Sequence, residues 1–165
     1  MSTASSDSTP PTRDDTRKSR YRSIPPAEAE GPFALGTTVT FSKTVGESDV
    51  YTFAGISGDL GPNHVNEEYM RKTRYGGRIA HGALLIAYMS SCSTKLIESA
   101  GNSPTVSYGF DRIRFIKPVF IGDTVTVSYV IASRDDERGE IRSEVTVRNQ
   151  HDQEVAVATN ILRRV

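Results

Sequence analysis

The sequence predicts an α+β domain in which a curved antiparallel sheet wraps one long helix. Three observations predict it. The stretch HGALLIAYMSSCSTKLIESAG, 81–101, carries apolar residues on nearly every face of its first half, the pattern of a helix enclosed by other structure. One β-branched run precedes it, and four strand-like runs follow it, at 105–119, 123–135, 139–150 and 153–165. Most of the separators, IGD, DDERGE and NQHDQ, are turn chemistry too short for a crossover helix, so neighbours pair antiparallel.

Residues 1–32 are rich in Ser, Thr, Pro and both signs of charge, with too few large apolar residues to offset their ordering entropy. They read as a flexible tail, which leaves 33–165 as the folded domain. The basic cluster of that tail (Arg13, Arg17, Lys18, Arg20, Arg22) is interleaved with Asp14 and Asp15, so a solvated leader outweighs a nucleic-acid arm. TTVTFSKTV, 37–45, is the first strand. The acidic and Ser residues of GESD then precede Val50, Phe53, Ala54 and Ile56 at helical spacing, a short helix ending near Gly58. NEEYMRKTRY, 66–75, predicts another short helix with Asn66 as its N-cap. Between them, 59–64 reads as a compact turn: Pro62 opposes a continuing helix, and Gly58 and Gly61 permit backbone angles closed to other residues. The long helix ends at Gly101. In 123–135, Val125, Val127, Tyr129 and Ile131 alternate with Thr124, Thr126, Ser128 and Val130, the period of a half-buried strand. Arg112 and Arg114 alternate with Ile113 and Phe115, which makes one face there basic. An open sheet has edges, and an edge is commonly covered by a second copy, so a homodimer or a higher homo-oligomer is expected.

Lysine plus arginine equals aspartate plus glutamate at 20 each, which excludes an overall basic field of the kind that gathers nucleic acid or an anionic membrane. The single cysteine, Cys92, excludes an intrachain disulfide and a thiolate metal cage, in agreement with a reducing, cytoplasmic compartment. In mid-helix among apolar neighbours it reads as inert core. There is no apolar run long enough to span a bilayer and no secretory core at the start of the chain. A soluble protein with neither membrane nor nucleic-acid partners is expected.

The chemistry concentrates in SGDLGPNHVNEEY, 57–69. Asp59 and His64 are five apart, which is not a same-face helical spacing, so only a turn brings them to one spot. There a carboxylate and an imidazole, with ordinary pKa values near ~4 and ~6.5, take and give protons around neutrality. Alone, either residue reads as a turn or packing residue; together they read as an acid/base pair. Downstream, YGGRIAHGALL leads through His81 and Gly82 straight into the long helix. The first N–H groups of that helix have no intrahelical partner, and with the positive dipole end they suit an oxygen that gains negative charge. His81 reads as a structural residue shaping the start of the helix. With His151 in a turn, the three histidines are scattered along the chain, and no metal site is expected.

FAGISGDLGPNH, the following Tyr69 and YGGRIAHGALL resemble the hydratase motif of the MaoC-like hot-dog family, which includes the (R)-specific enoyl-CoA hydratases. DRIRFIKPVFIGDTV resembles the segment that members carry after the central helix, and the similarity runs from about Thr37 to near the C-terminus. The resemblance implies a hot-dog fold, usually dimeric, acting on acyl thioesters of coenzyme A as substrate, with no further cofactor. It implies that Asp59 and His64 hold and activate a water, that Gly82 gives its N–H to the thioester oxygen, and that Ser90 belongs to the polar shell of the site. The implied reaction is reversible hydration of a trans-2-enoyl-CoA to an (R)-3-hydroxyacyl-CoA. Arg71, Lys72, Arg74 and Arg78 crowd the region between loop and helix and are candidates for the coenzyme's phosphates; for any one of them, solvating a helix face is the competing reading. In one place the chain departs from the family: the loop usually reads Asp, any residue, Asn, Pro, any residue, His, and Gly61 stands where the Asn belongs, which removes an amide that both donates and accepts. The rival functions are an acyl-CoA thioesterase and a non-catalytic acyl-CoA-binding subunit.

Overall fold

The computed structural model describes residues 33–165; the expected tail, residues 1–32, lies outside the described residues. The elements run β1 (Thr38–Thr44), α1 (Glu47–Ser57), α2 (Pro62–Val65), α3 (Glu67–Met70), α4 (Gly82–Ser99), β2 (Thr105–Phe115), β3 (Thr124–Asp135), β4 (Glu140–Arg148) and β5 (Glu154–Arg164). The strands form one sheet in the order β1-β3-β4-β5-β2, and every pairing is antiparallel. The turns DDERGE and NQHDQ place β3, β4 and β5 side by side as antiparallel neighbours, whereas IGD, although short, does not pair the strands it joins: β2 lies at the far edge against β5, and β1 forms the opposite edge against β3.

Alternation in β3 is realised: Val125, Val127, Tyr129 and Ile131 are all buried against α4 or its surroundings. In β2 the alternation breaks. The register against β5 shifts between Ser107 and Gly109 and again between Asp111 and Arg114, where Arg112 takes φ 55°. Such bulges bend a strand and increase its twist, which helps the sheet curve over the helix. Asn160, fully buried on β5, braces the first bulge by donating to Ser107 Oγ at 3.0 Å and to the Gly109 carbonyl at 3.2 Å.

α4 lies on the sheet with Leu84, Leu85, Tyr88, Met89, Cys92 and Leu96 buried. Its burial is one-sided, unlike its apolar pattern: Ala83, Ala87, Ser90 and Thr94 are exposed on the opposite face. Alanine raises local apolarity without requiring a wrapped surface, so the pattern overstated the burial. Cys92 is fully buried, and burial pushes its thiol up to about 11, consistent with inert core. Among the described residues, no helix is long and apolar enough to cross a membrane.

The short helices differ from expectation in extent. α1 ends where predicted, on Gly58 in the left-handed conformation at φ 77°. Asn66 caps α3 as predicted, its side chain accepting from Tyr69 N–H at 2.9 Å, but α3 stops after one turn, where the Met70 carbonyl accepts from both Thr73 N–H at 3.0 Å and Thr73 Oγ1 at 2.8 Å. Pro62 opens α2 instead of breaking a helix, since at the first position its missing N–H costs nothing. Gly61 has φ −52°, open to any residue, so its place in the turn is not a matter of backbone angle.

Glu140 at the start of β4 is 6% exposed and pairs with Arg163 and, at 3.3 Å, with Arg142. The Arg163 guanidinium holds its carboxyl below the usual carboxylate range, against the opposing effect of burial, with Arg142 assisting. A depressed pKa contributes stability that is present above the unfolded carboxyl's titration and lost as pH falls through the folded one. Glu140→Gln is therefore expected to lose about 2 kcal/mol at pH 7, with the gap to wild type closing in acid, as denaturant titrations across pH will show.

Candidate active site

α1, α2 and the segment leading into α4 converge on one another. After Gly58 the chain turns so that the Asp59 carbonyl accepts from His81 Nε2 at 2.9 Å. The single turn of α2 then points His64 inward, where it is 7% exposed. His64 Nδ1 lies 2.8 Å from the Ile79 carbonyl oxygen, which can only accept, so Nδ1 carries the proton and Nε2 carries the lone pair. That lone pair accepts from the Asn63 amide at 2.9 Å, and Asp59 Oδ2 lies 3.9 Å from the same nitrogen. The distance is too long for a direct hydrogen bond and suits a shared water, because two ~2.8 Å bonds to one oxygen span it at an angle of about 90°. Asp59 keeps 55% of its side chain in solvent, against 10% for His64. The turn thus does what the spacing required: a solvated carboxylate and a buried imidazole meet.

His81 is closer to this pair than its sequence position suggested. Its ring is 1% exposed and stacks on His64, with centroids 3.7 Å apart and planes 25° apart, while Phe53 packs against it at 4.9 Å. Two of the three histidines are therefore together in space, and ligand atoms of Asp59, His64 and His81 lie within 4.8 Å of one another. The geometry fits proton handling better than a metal. Imidazole lone pairs lie in the ring planes, and stacked rings aim them side by side instead of at one point. His64 Nδ1 and His81 Nε2 are also committed to backbone carbonyls.

Gly82 begins α4, following His81 in extended conformation at φ −61° and ψ 133°. No acidic side chain in the first turn competes for the helix dipole. Gly82 and His64 line the same cavity, of about 590 Å³. Its walls are apolar through Ile79, Leu85, Phe115 and Val119, and positive charge comes from Arg74 and Lys117. The Phe115 ring lies directly over Gly82, so that a Cβ there would come within 2.6 Å of it. A cleft with apolar and polar walls, holding a base at one point and free helix N–H groups at another, suits an apolar chain with a polarised carbonyl.

The other residues singled out in the sequence fare differently. Ser90 is exposed and does not line the cavity; eight residues along α4 carry it ~12 Å from Gly82. Arg78 is engaged by Glu47 and, at 3.1 Å, by Glu67, and ties α1 and α3 to the segment before α4. That pairing holds the Glu67 carboxyl below its usual range. Arg71 pairs on the surface with Glu67 and Glu68. Of the three arginines, Arg74 alone lines the cavity, held over the Tyr75 ring at 4.9 Å and donating to its hydroxyl. Sequence reasoning missed Asn63, Phe115 and Lys117, which reach the cavity. For Lys117 and Phe115 no local signal existed, whereas Asn63 adjoins His64.

Residues 30–155 match a family model described as MaoC like domain. An (R)-specific enoyl-CoA hydratase of Rhodospirillum rubrum is 40% identical over 97 residues, covering 58% of this chain and 64% of that one. A 3-hydroxybutyryl-CoA dehydratase of Methylorubrum extorquens is 33% identical over 108 residues, 66% of each chain. The matched stretch thus spans just under two thirds of each relative. The unliganded R-hydratase PhaJ1 of Pseudomonas aeruginosa superposes with a TM-score of 0.69 at 26% identity, over 79% of this chain and 81% of that one. The helix-bearing antiparallel sheet is accordingly a hot-dog fold. With the family model covering the loop, the long helix and most of the sheet, the chain belongs to the MaoC-like domain family.

Proposed function

We propose that the protein is a hydro-lyase that adds water reversibly to trans-2-enoyl-CoA thioesters, giving (R)-3-hydroxyacyl-CoA. The observation that carries this reading is the meeting of Asp59 Oδ2 and His64 Nε2, 3.9 Å apart, with His64 lining a cavity that also contains the start of α4 at Gly82. The names of the two similar proteins support the reaction class, and the name of the Rhodospirillum rubrum protein supports the R configuration. A water between carboxylate and imidazole gives up a proton to that pair, and its oxygen bonds to the β carbon. The π electrons of the double bond shift toward the thioester oxygen, where the Gly82 N–H and the helix dipole stabilise the charge. Return of the proton to the α carbon restores the enzyme, so nothing is consumed beyond water and the enoyl thioester. The coenzyme belongs to the substrate, and no step requires a resident cofactor.

Incubation with crotonyl-CoA tests this. The enoyl absorbance is expected to fall with no free thiol released, whereas release of thiol without hydration would identify a thioesterase, and binding without turnover an acyl-CoA-binding subunit.

Arg74 and Lys117, at the cavity, are the residues placed to meet the coenzyme's phosphates. Arg74→Ala/Lys117→Ala is expected to raise KM for crotonyl-CoA about tenfold with kcat nearly unchanged. A crotonyl thioester of pantetheine, which lacks those phosphates, is expected to show no such difference.

A second copy of the chain completes the molecule along β2. That strand is an edge of the sheet, and Val106, Tyr108 and Phe115 on it are about half exposed. Phe115, Ile116 and Lys117 also line the cavity, which puts the cavity beside this edge. Sedimentation equilibrium is expected to return a multiple of the chain mass.

A further inference from the structure

We propose that Asn63 is a positioning residue, whose side-chain amide holds His64 on both sides of the proton transfer, and that Gly61 is small so that this amide fits. The inference rests on the hydratase reading and adds a residue to it.

The Asn63 amide nitrogen lies 2.9 Å from His64 Nε2. Because the Ile79 carbonyl fixes the proton of the neutral ring on Nδ1, the amide must donate to the Nε2 lone pair. The imidazole is thus clamped at both nitrogens, by a backbone acceptor on one side and a carboxamide on the other. Asn63 also lines the cavity, and its own carbonyl accepts from Ile79 N–H at 3.1 Å, which ties its backbone to the strand of chain leading into α4.

Gly61 makes room for that amide. Its backbone, at φ −52° and ψ 135°, is open to any residue, so conformation does not demand a glycine. Space does. A Cβ at position 61 would stand 2.7 Å from Asn63 Oδ1, 3.1 Å from Asp59 Oδ1 and 3.5 Å from His64 Cδ2. Any larger residue there pushes the Asn63 amide off the imidazole and presses on the carboxylate.

A carboxamide is suited to this task because it has a donor and an acceptor on one rotatable group. Its NH₂ end serves the neutral imidazole. When Nε2 has taken a proton, rotation about the terminal side-chain bond brings Oδ1 to accept from the new N–H. A water approaching Nε2 displaces the donor end, and once its proton has passed to Nε2, Oδ1 is free to accept a hydrogen bond from that N–H. The charged groups and titratable neighbours around His64 are Asp59 at 3.9 Å, His81 stacked at 3.7 Å, and Arg74, Tyr75 and Lys117 in the cavity that His64 lines, and among them none makes a hydrogen bond to Nε2.

The test uses the full chain, with Asn63→Ala, Asn63→Asp, Gly61→Ala and Gly61→Ala/Asn63→Ala, each checked for fold by circular dichroism. Readouts are kcat and KM on crotonyl-CoA across pH and the ¹⁵N titration of the His64 ring. Asn63→Ala is expected to lower kcat about tenfold or more with KM within about twofold. Asn63→Asp sets a carboxylate against Nε2 and is expected to raise the midpoint of the ring titration, and with it the acid limb of kcat, by at least about half a pH unit. Gly61→Ala is expected to resemble Asn63→Ala, and the double variant to be no worse than either single one, because both remove the same contact. Wild-type kcat in Asn63→Ala together with an unmoved ring titration in Asn63→Asp overturns the proposal, and so does full additivity of the two sites. The ring titration also separates this proposal from the hydratase reading: a chain inert toward every enoyl thioester defeats that reading, while the nitrogen shifts still decide whether Asn63 holds the imidazole.

Discussion

Asp59→Asn is expected to lower kcat on crotonyl-CoA about 10³-fold, a loss of ~4 kcal/mol in transition-state stabilisation. The substitution keeps the shape of the side chain and removes two things: the negative charge that takes a proton from water, and the purely accepting character that orients the water's hydrogens. An amide in this place also turns a donor toward the 3.9 Å gap in front of His64 Nε2. The fold should not suffer. The Asp59 side chain is 55% exposed, and its one protein hydrogen bond is a 3.2 Å contact accepted from Gly61 N–H. Steady-state kinetics with a melting curve for the same preparation checks both parts. Activity within a few-fold of wild type in a folded Asp59→Asn protein would show that the carboxylate is not the group that accepts the proton.

Gly82→Pro is expected to cost about 10²-fold in kcat/KM beyond whatever Gly82→Ala costs. The comparison isolates one N–H. Proline is well accepted at the first position of a helix, where the N–H has no intrahelical acceptor, and His81 before it already has the extended backbone, φ −61° and ψ 133°, that a following proline requires. Both variants place a Cβ against the Phe115 ring, within 2.6 Å before relaxation. Both carry that Cβ contact with Phe115, so its cost is common to the two, and circular dichroism checks that each folds. Only the proline variant loses the donor. Equal rates in the two would mean that the amide at the head of α4 does not touch the developing oxyanion.

Much of this arrangement was legible in the sequence because it is local. The period of two in β3, the turn chemistry between the later strands, the left-handed Gly58 and the Asn66 cap each depend on residues a few positions apart, and each is found. Asp59 and His64 were legible for the same reason, since one tight bend contains both. What was not legible depends on partners distant along the chain. His81 stacks on His64 only because the segment before α4 returns to the turn, so the idea of scattered histidines was a statement about sequence and not about space. Arg78 was a reasonable phosphate candidate until Glu47, 31 positions earlier, proved to be its partner. Ser90 was placed by motif alone, and eight residues of helix separate it from Gly82, so that it does not line the cavity. The alternation of Arg112 to Phe115 failed at the bulge in β2, which no local signal marks.

The most direct test of the whole account is a crystal structure of Asp59→Asn grown with crotonyl-CoA. The thioester oxygen is expected within about 3.1 Å of the Gly82 nitrogen, with the β carbon facing the space between residue 59 and His64 Nε2. A thioester bound with its carbonyl turned away from the start of α4, or with its double bond out of reach of His64, would contradict it.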